Sequence, residues 1–422
     1  MSNVNAPIPL GDVNIEIMVQ DQPVQTVAQV HLRLLPKPSL VFECEARVKL
    51  YGLWGPCYSE ATLLDQGICL NVIFSPRPSS RLLEGIVKFA FTPNTQPCTV
   101  VKQDGQQLQS VTFEVLNFPK FEIDDTVELA VDDWRIAITA VPDLKEIVKD
   151  LKERGGYGVT HHGTIKHLDG KAFSIEDAEN AMKCIRQFLS FARGVYCAPI
   201  LPVGFNSNGE AVWKQWGSPP VDPWGWTPTW FDTDCSETLA EVFPGFWRCL
   251  NHSNYDYVTR TRIALDWYLR SNRNNGDNAG GVILSQAGLE RLADAHGFNK
   301  KSVGAAAECI RELVNKYSIP AELPNGLDTL NEVLYAVQKN AGQDKIFDGP
   351  AALVAVRNDL VHPKPNLAGI CSLKEYEAWN LAQWYVELVL LNMSGFNGKY
   401  ANRLIEGRVE GQPDTVPWAA AD

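Results

Sequence analysis

The sequence predicts an α+β protein with three parts: a β-rich N-terminal region, a mixed middle segment, and an all-α up-down bundle at the C-terminus. Three observations carry this. The first third is built of short runs with a period of two, the last part has helical periodicity, and Pro, Gly, Asn and Asp breaks separate the runs throughout. With 422 residues and 45% hydrophobic content the chain can fill two or three cores.

The run at 41–50 shows the β pattern best. Phe42, Cys44, Ala46, Val48 and Leu50 alternate with Glu43, Glu45, Arg47 and Lys49, so one face meets a core and the other meets water. Similar runs lie at 29–35, 68–74, 86–91, 110–116, 127–131 and 135–140. Several short strands with turn signals between them predict an antiparallel sandwich or open barrel over 1–142.

The middle segment, 143–240, alternates. Residues 143–154 predict a helix closed by Gly155-Gly156, and 158–167 predict a strand. Ser174 then caps a second helix, with Asp177 at the reciprocal capping position. Next comes a stretch dense in Trp, Pro and Gly, from Trp213 to Trp230. So many indoles suit an ordered loop packed between domains better than a disordered linker, although stacking of bases or sugars is also open to them.

From 241 to 405 the periodicity predicts helices at 256–270, 280–295, 301–316, 327–339, 349–361 and 373–391, joined by short turns as in a bundle. Residues 406–422 read as a polar, loosely wrapped tail.

Charge and motifs narrow the function. The net charge is −12, so any contact with nucleic acid needs a local cationic site rather than a diffuse positive field. There is no basic start followed by an apolar run, no stretch of about 18 apolar residues, and no phosphate-binding glycine loop, dinucleotide fingerprint or H-E-x-x-H. The expectation is a cytoplasmic protein with no membrane segment, no cofactor and no metal. Ten cysteines spread singly fit reduced thiols. His161, His162 and His167 could include two metal ligands, but adjacent strand residues face opposite ways and no Cys, Asp or Glu stands at ligand spacing. Surface histidines are the plainer reading.

Two Arg-x4-His pairs remain, Arg357/His362 and Arg291/His296. Chance supplies about 0.3 such pairs in a chain with this many Arg and His, so spacing alone does not choose between them. Context does. Arg357 is followed by Asn358, His362 by the helix-stopping Pro363, and the helix before them has an apolar stripe through Leu353, Val356 and Leu360.

Arg357-Asn358-Asp359-Leu360-Val361-His362, on the penultimate helix of a helical bundle, resembles the R-N-x-x-x-H motif of HEPN domains. The resemblance covers about residues 250–405. It implies a homodimeric, metal-independent endoribonuclease acting on RNA, in bacterial defence or toxin-like growth control. In it His362 moves the proton, Arg357 holds the scissile phosphate, and Asn358 orients the phosphate or the imidazole. A 2′,3′-cyclic phosphate and a 5′-hydroxyl are the implied products. The N-terminal region would then be the sensor for a protein or ligand trigger. Glu290 and Asp359 are possible supporting residues, with Gln286 one turn from Glu290. Residues five apart on an ideal helix lie about 140° around its axis, so Arg357 and His362 meet only if the last turn unwinds or a second copy completes the site. The other reading is a dimeric interaction or ligand-binding protein with an inactive bundle, the Arg and His being favoured merely by the helix C-terminus.

Overall fold

The computed structural model describes residues 4–419 except 20–21, 52–56, 66, 75–81, 94–97, 103–104, 122–124, 274–276, 340–344, 406 and 408–409. The protein is α+β, as the sequence predicts, and it divides into two compact units. The first holds residues 1–120, 133–185 and 197–225, and the second 121–132, 186–196 and 226–422. The segment read as a mixed middle region is thus shared between them, and the boundary falls inside one helix.

The first unit begins with a closed antiparallel barrel of β1 (Ile8–Val19), β2 (Gln22–Arg33), β3 (Ser39–Tyr51), β4 (Cys57–Leu63), β5 (Ile68–Phe74) and β6 (Leu82–Pro93), in the order β1-β2-β3-β6-β5-β4. Closure comes from β1 pairing with β4, Ile15 opposite Leu63. It leaves no free sheet edge, which the expected sandwich or open barrel would have had. The period of two in β3 does what it predicts: Phe42 and Cys44 are buried while Glu43 and Glu45 are exposed, and Phe42 stacks on Phe91 with ring centres 5.0 Å apart. The side chains of 46–50, the rest of that alternation, lie outside the described residues.

The next strands are β7 (Cys98–Lys102), β8 (Ser110–Leu116), β9 (Thr126–Val131), β10 (Trp134–Ala140), β11 (Val159–His167), β12 (Pro199–Phe205) and β13 (Ala211–Trp216). Within the first unit six of them pair antiparallel in the order β7-β13-β12-β8-β11-β10, while β9 belongs to the second unit. The helix α1 (Leu144–Arg154) packs its Ile147 and Leu151 on Gly158 at the start of β11. Gly163 in β11 has a packing reason: a Cβ there would stand 2.0 Å from the ring of Phe113 on the neighbouring strand.

The Trp-rich stretch is not one loop. Trp213 and Trp216 lie in β13 and are buried, whereas Trp226 is 76% exposed. The alternation of β13 is hidden because both of its faces carry bulky aromatic or aliphatic side chains.

α2 (Ile175–Arg193) opens with the predicted capping box, Asp177 N donating to Ser174 Oγ at 3.1 Å and Ser174 N to Asp177 Oδ2 at 3.1 Å. From Arg186 onward it belongs to the second unit, with α3 (Glu237–Leu250), α4 (Tyr255–Arg273), α5 (Asn278–Ala295), α6 (Ala306–Lys316), α7 (Asp328–Gln338), α8 (Gly349–Val361) and α9 (Leu373–Met393). Helix α3 is absent from the periodicity reading because Pro244 lies inside it. It approaches α9 at Gly245, where a Cβ would fall 1.7 Å from the Ser394 carbonyl oxygen.

The tail is tied down rather than loose. β14 (Lys399–Tyr400) pairs with β15 (Asp414–Thr415), Val416 is buried, and Trp418 Nε1 donates to the Phe396 carbonyl at 2.7 Å.

Candidate functional site at the end of α8

α8 is held firmly at its start. Asp348 caps it by accepting from Ala351 N at 3.0 Å, and Arg311 grips the same carboxylate through Nε and Nη2. Ala352, Leu353 and Val356 are its buried stripe. The helix stops at Val361, and His362 leaves helical geometry with φ −137° while its N–H still bonds the Asn358 carbonyl at 2.8 Å. Pro363, which cannot continue the ladder, is the cause.

The three proposed catalytic residues fare differently. Arg357 is half-buried and donates from Nη1 to Asn358 Oδ1 at 3.2 Å. Asn358 therefore orients the guanidinium, not the imidazole. His362 is exposed, and among the described residues its ring has no hydrogen-bond partner. Among the described residues no hydrogen bond joins the Arg357 and His362 side chains.

Asp359 serves the fold. It receives Lys364 N at 2.6 Å and pairs with the buried Lys374 ammonium at 2.8 Å, which also bonds the Leu367 carbonyl at 3.1 Å. Burial alone would raise the Asp359 pKa, but the hydrogen bonds from Lys374 and Lys364 N, with the two lysine charges, hold it below the usual carboxylate range. The result staples the end of α8 to the start of α9. Glu290 is exposed on α5 and accepts from Gln286 Nε2 at 2.9 Å on the same helix, while Gln286 Oε1 is buried without a partner.

The second Arg-x4-His pair is built into packing. Arg291 lies over the Trp267 ring at 5.9 Å. His296 bonds the Tyr317 hydroxyl through Nε2 at 2.8 Å and stands edge-on to the rings of Tyr257 and Tyr317. Burial, then the Lys316 charge, push its pKa down to about 4, so it is neutral at pH 7.

In the first unit the three close histidines diverge. His161 is fully buried, edge-on to Phe118, with its pKa pushed down by burial to about 3; it is a core residue, not the surface group expected. His162 pairs with Glu114 on β8. His167 sits between Trp134 and Phe173. Among the described residues no group of three metal-ligating side chains assembles.

One polar cluster escaped the sequence reading. Arg403 and Glu387 are both wholly buried and pair through Nε at 3.1 Å and Nη2 at 2.7 Å. Tyr268 donates its hydroxyl to Glu387 at 2.7 Å, and Arg403 also reaches the Pro228 carbonyl at 2.9 Å. Gln383 and Asn272 extend the network at 2.9 Å. A signal existed: Glu387 is a lone carboxylate in the otherwise apolar run from Trp384 to Leu391. Its partner, sixteen residues on and past the last helix, gave none.

Fold and site together define an α+β protein whose helix α8 ends in a half-buried arginine and an exposed histidine. Residues 103–227 match the family model described as the YopA central domain, and residues 254–414 match that of the YopA C-terminal domain. The whole chain is 26% identical, over 97% of the relative's length, to the SPbeta prophage-derived uncharacterized protein YopA of Bacillus subtilis (strain 168). No solved structure matches. The HEPN resemblance is overturned by this: the segment on which it rested is matched by the YopA C-terminal model, and no HEPN model matches. The physical reason is that residues at a helix end are readily fixed by structural work, as Asp359 is by Lys364 N and Lys374.

Proposed function

We propose that the helical unit acts on RNA phosphodiesters at the α8–α9 corner, as an endoribonuclease working through Arg357 and His362. The observation that carries this reading is the pairing of a guanidinium oriented by Asn358 with an unengaged, exposed imidazole just past the helix end. The imidazole can take the ribose 2′-hydroxyl proton while Arg357 stabilises charge on the phosphate. The 2′-oxygen then bonds phosphorus, the 5′-oxygen leaves and takes a proton from water, and a 2′,3′-cyclic phosphate remains. Lys364 beside the motif and exposed Tyr376 on α9 add a cation and a stacking ring to a corner of an otherwise acidic chain. The prophage origin of the B. subtilis relative is in keeping with a defence or toxin-like role. The test is cleavage of total RNA in EDTA by the wild type and by His362→Ala. Equal cleavage by both, or none by either, refutes it.

A second reading, self-association without catalysis, is favoured by the exposed apolar side chains Val361, Leu373 and Tyr376 around the same corner. A dimer that Leu373→Glu dissociates, with no RNA cleavage by either form, selects this reading.

A further inference from the structure

We propose that Asp359 and Lys374 are positioning residues for His362: their ion pair sets where the imidazole stands relative to the Arg357 guanidinium. This deepens the nuclease reading and rests on it. Three consecutive residues lead the chain past the end of α8, and each is fixed in its own way. The His362 N–H donates to the Asn358 carbonyl at 2.8 Å, the last bond of the α8 ladder. The ring of Pro363 locks its φ. The Lys364 N–H donates to Asp359 Oδ1 at 2.6 Å. The backbone that bears His362 is therefore bracketed by two bonds to α8, and the second depends on one carboxylate.

That carboxylate is held in turn. Its other oxygen, Oδ2, takes the Lys374 ammonium at 2.8 Å, and the same ammonium donates to the Leu367 carbonyl at 3.1 Å. Leu367 is buried, and its N–H donates to the Lys364 carbonyl at 3.0 Å. One buried cation thus closes the turn from 359 to 367 at both ends. Joining α8 to α9 needs only Oδ2 and Lys374; the bond from Lys364 N to Oδ1 acts on the chain beside His362.

The guanidinium has a separate support, because Arg357 Nη1 donates to Asn358 Oδ1 at 3.2 Å. Loss of the Asp359–Lys374 pair therefore displaces the imidazole half of the site and leaves the guanidinium half in place. An exposed ring has no packing of its own to restore it, and a misplacement of about 1 Å can cost on the order of a hundredfold in rate.

The test uses the intact chain with its seven histidines labelled at Cε1, the His362 signal being the one lost in His362→Phe. The readout is the transverse relaxation of each Cε1–H group, which follows ring motion rather than nearby charge. Relaxation and RNA cleavage are measured where circular dichroism shows each variant folded, with rates taken per folded molecule. Asp359→Ala and Lys374→Met are expected to lengthen the His362 relaxation time at least twofold, to leave that of His296 unchanged, and to lower cleavage at least tenfold. If either does not fold, Asp359→Glu replaces it under the same expectations, since it keeps the charge and moves the carboxylate by one methylene. Unchanged His362 relaxation overturns the proposal, and so does altered relaxation with an undiminished rate. Absence of cleavage by the wild type refutes the nuclease reading instead, and the relaxation data then decide alone whether the pair holds the ring.

Discussion

Two segments of the helical unit share one spacing and have opposite fates. Arg291/His296 is absorbed into packing: its imidazole is tied to Tyr317, flanked by two phenol rings and neutral, and its guanidinium covers an indole. Arg357/His362 is half structure and half surface: Asp359 staples two helices while His362 stays exposed. Spacing selects neither. What separates them is what each ring meets after the helix ends, a bundle of aromatic side chains in one case and solvent past a proline in the other.

The comparison can be broken most decisively at His362. If that imidazole moves the proton, His362→Ala lowers RNA cleavage about a hundredfold to ten-thousandfold while leaving the urea midpoint unchanged. A matched loss of both would place His362 with His296, as a structural residue. Next in size, Asp359→Ala leaves the Lys374 ammonium buried without its partner and costs about 3 kcal/mol, read as a lower urea midpoint. His296→Ala loses one hydrogen bond and two ring contacts, about 2 kcal/mol, with no effect on cleavage.

The pH dependence sharpens the contrast. The folded-state pKa of His296 lies at about 4, below its unfolded value near 6.5, so between these values the unfolded chain binds more protons than the native one. The stability tied to a neutral His296 is therefore full above about pH 6.5 and is lost as pH falls toward 4. His161, at about 3, loses its share over a window reaching lower still. Urea midpoints measured from pH 7 to pH 4 should fall less steeply in His296→Phe than in wild type. The smallest effect is that of Arg291→Ala, about 0.5 kcal/mol for the lost contact with Trp267.

Much of the fold was legible because its signals are local. The capping box at Ser174 and Asp177, the alternation at Phe42 and Cys44, and the stop at Pro363 each act within a few residues. Barrel closure was not legible, since Ile15 meets Leu63 across two intervening strands that carry no record of it. Helix α3 was masked by Pro244, and β13 by Trp213 and Trp216, which read as loop residues but fill a core. At the candidate site, the residue types at the end of α8 were visible, but their partners were not. Asn358 turns to Arg357, and Asp359 to a lysine fifteen residues away on the next helix.

The buried Glu387–Arg403 pair has a consequence in time rather than in space. During synthesis Glu387 emerges with α9, but the cation that neutralises it follows every helix of the unit. Until then the last helix carries an uncompensated charge along its most apolar stretch, and its docking is opposed by the cost of burying that charge. The helical unit therefore completes only after Arg403 has been made.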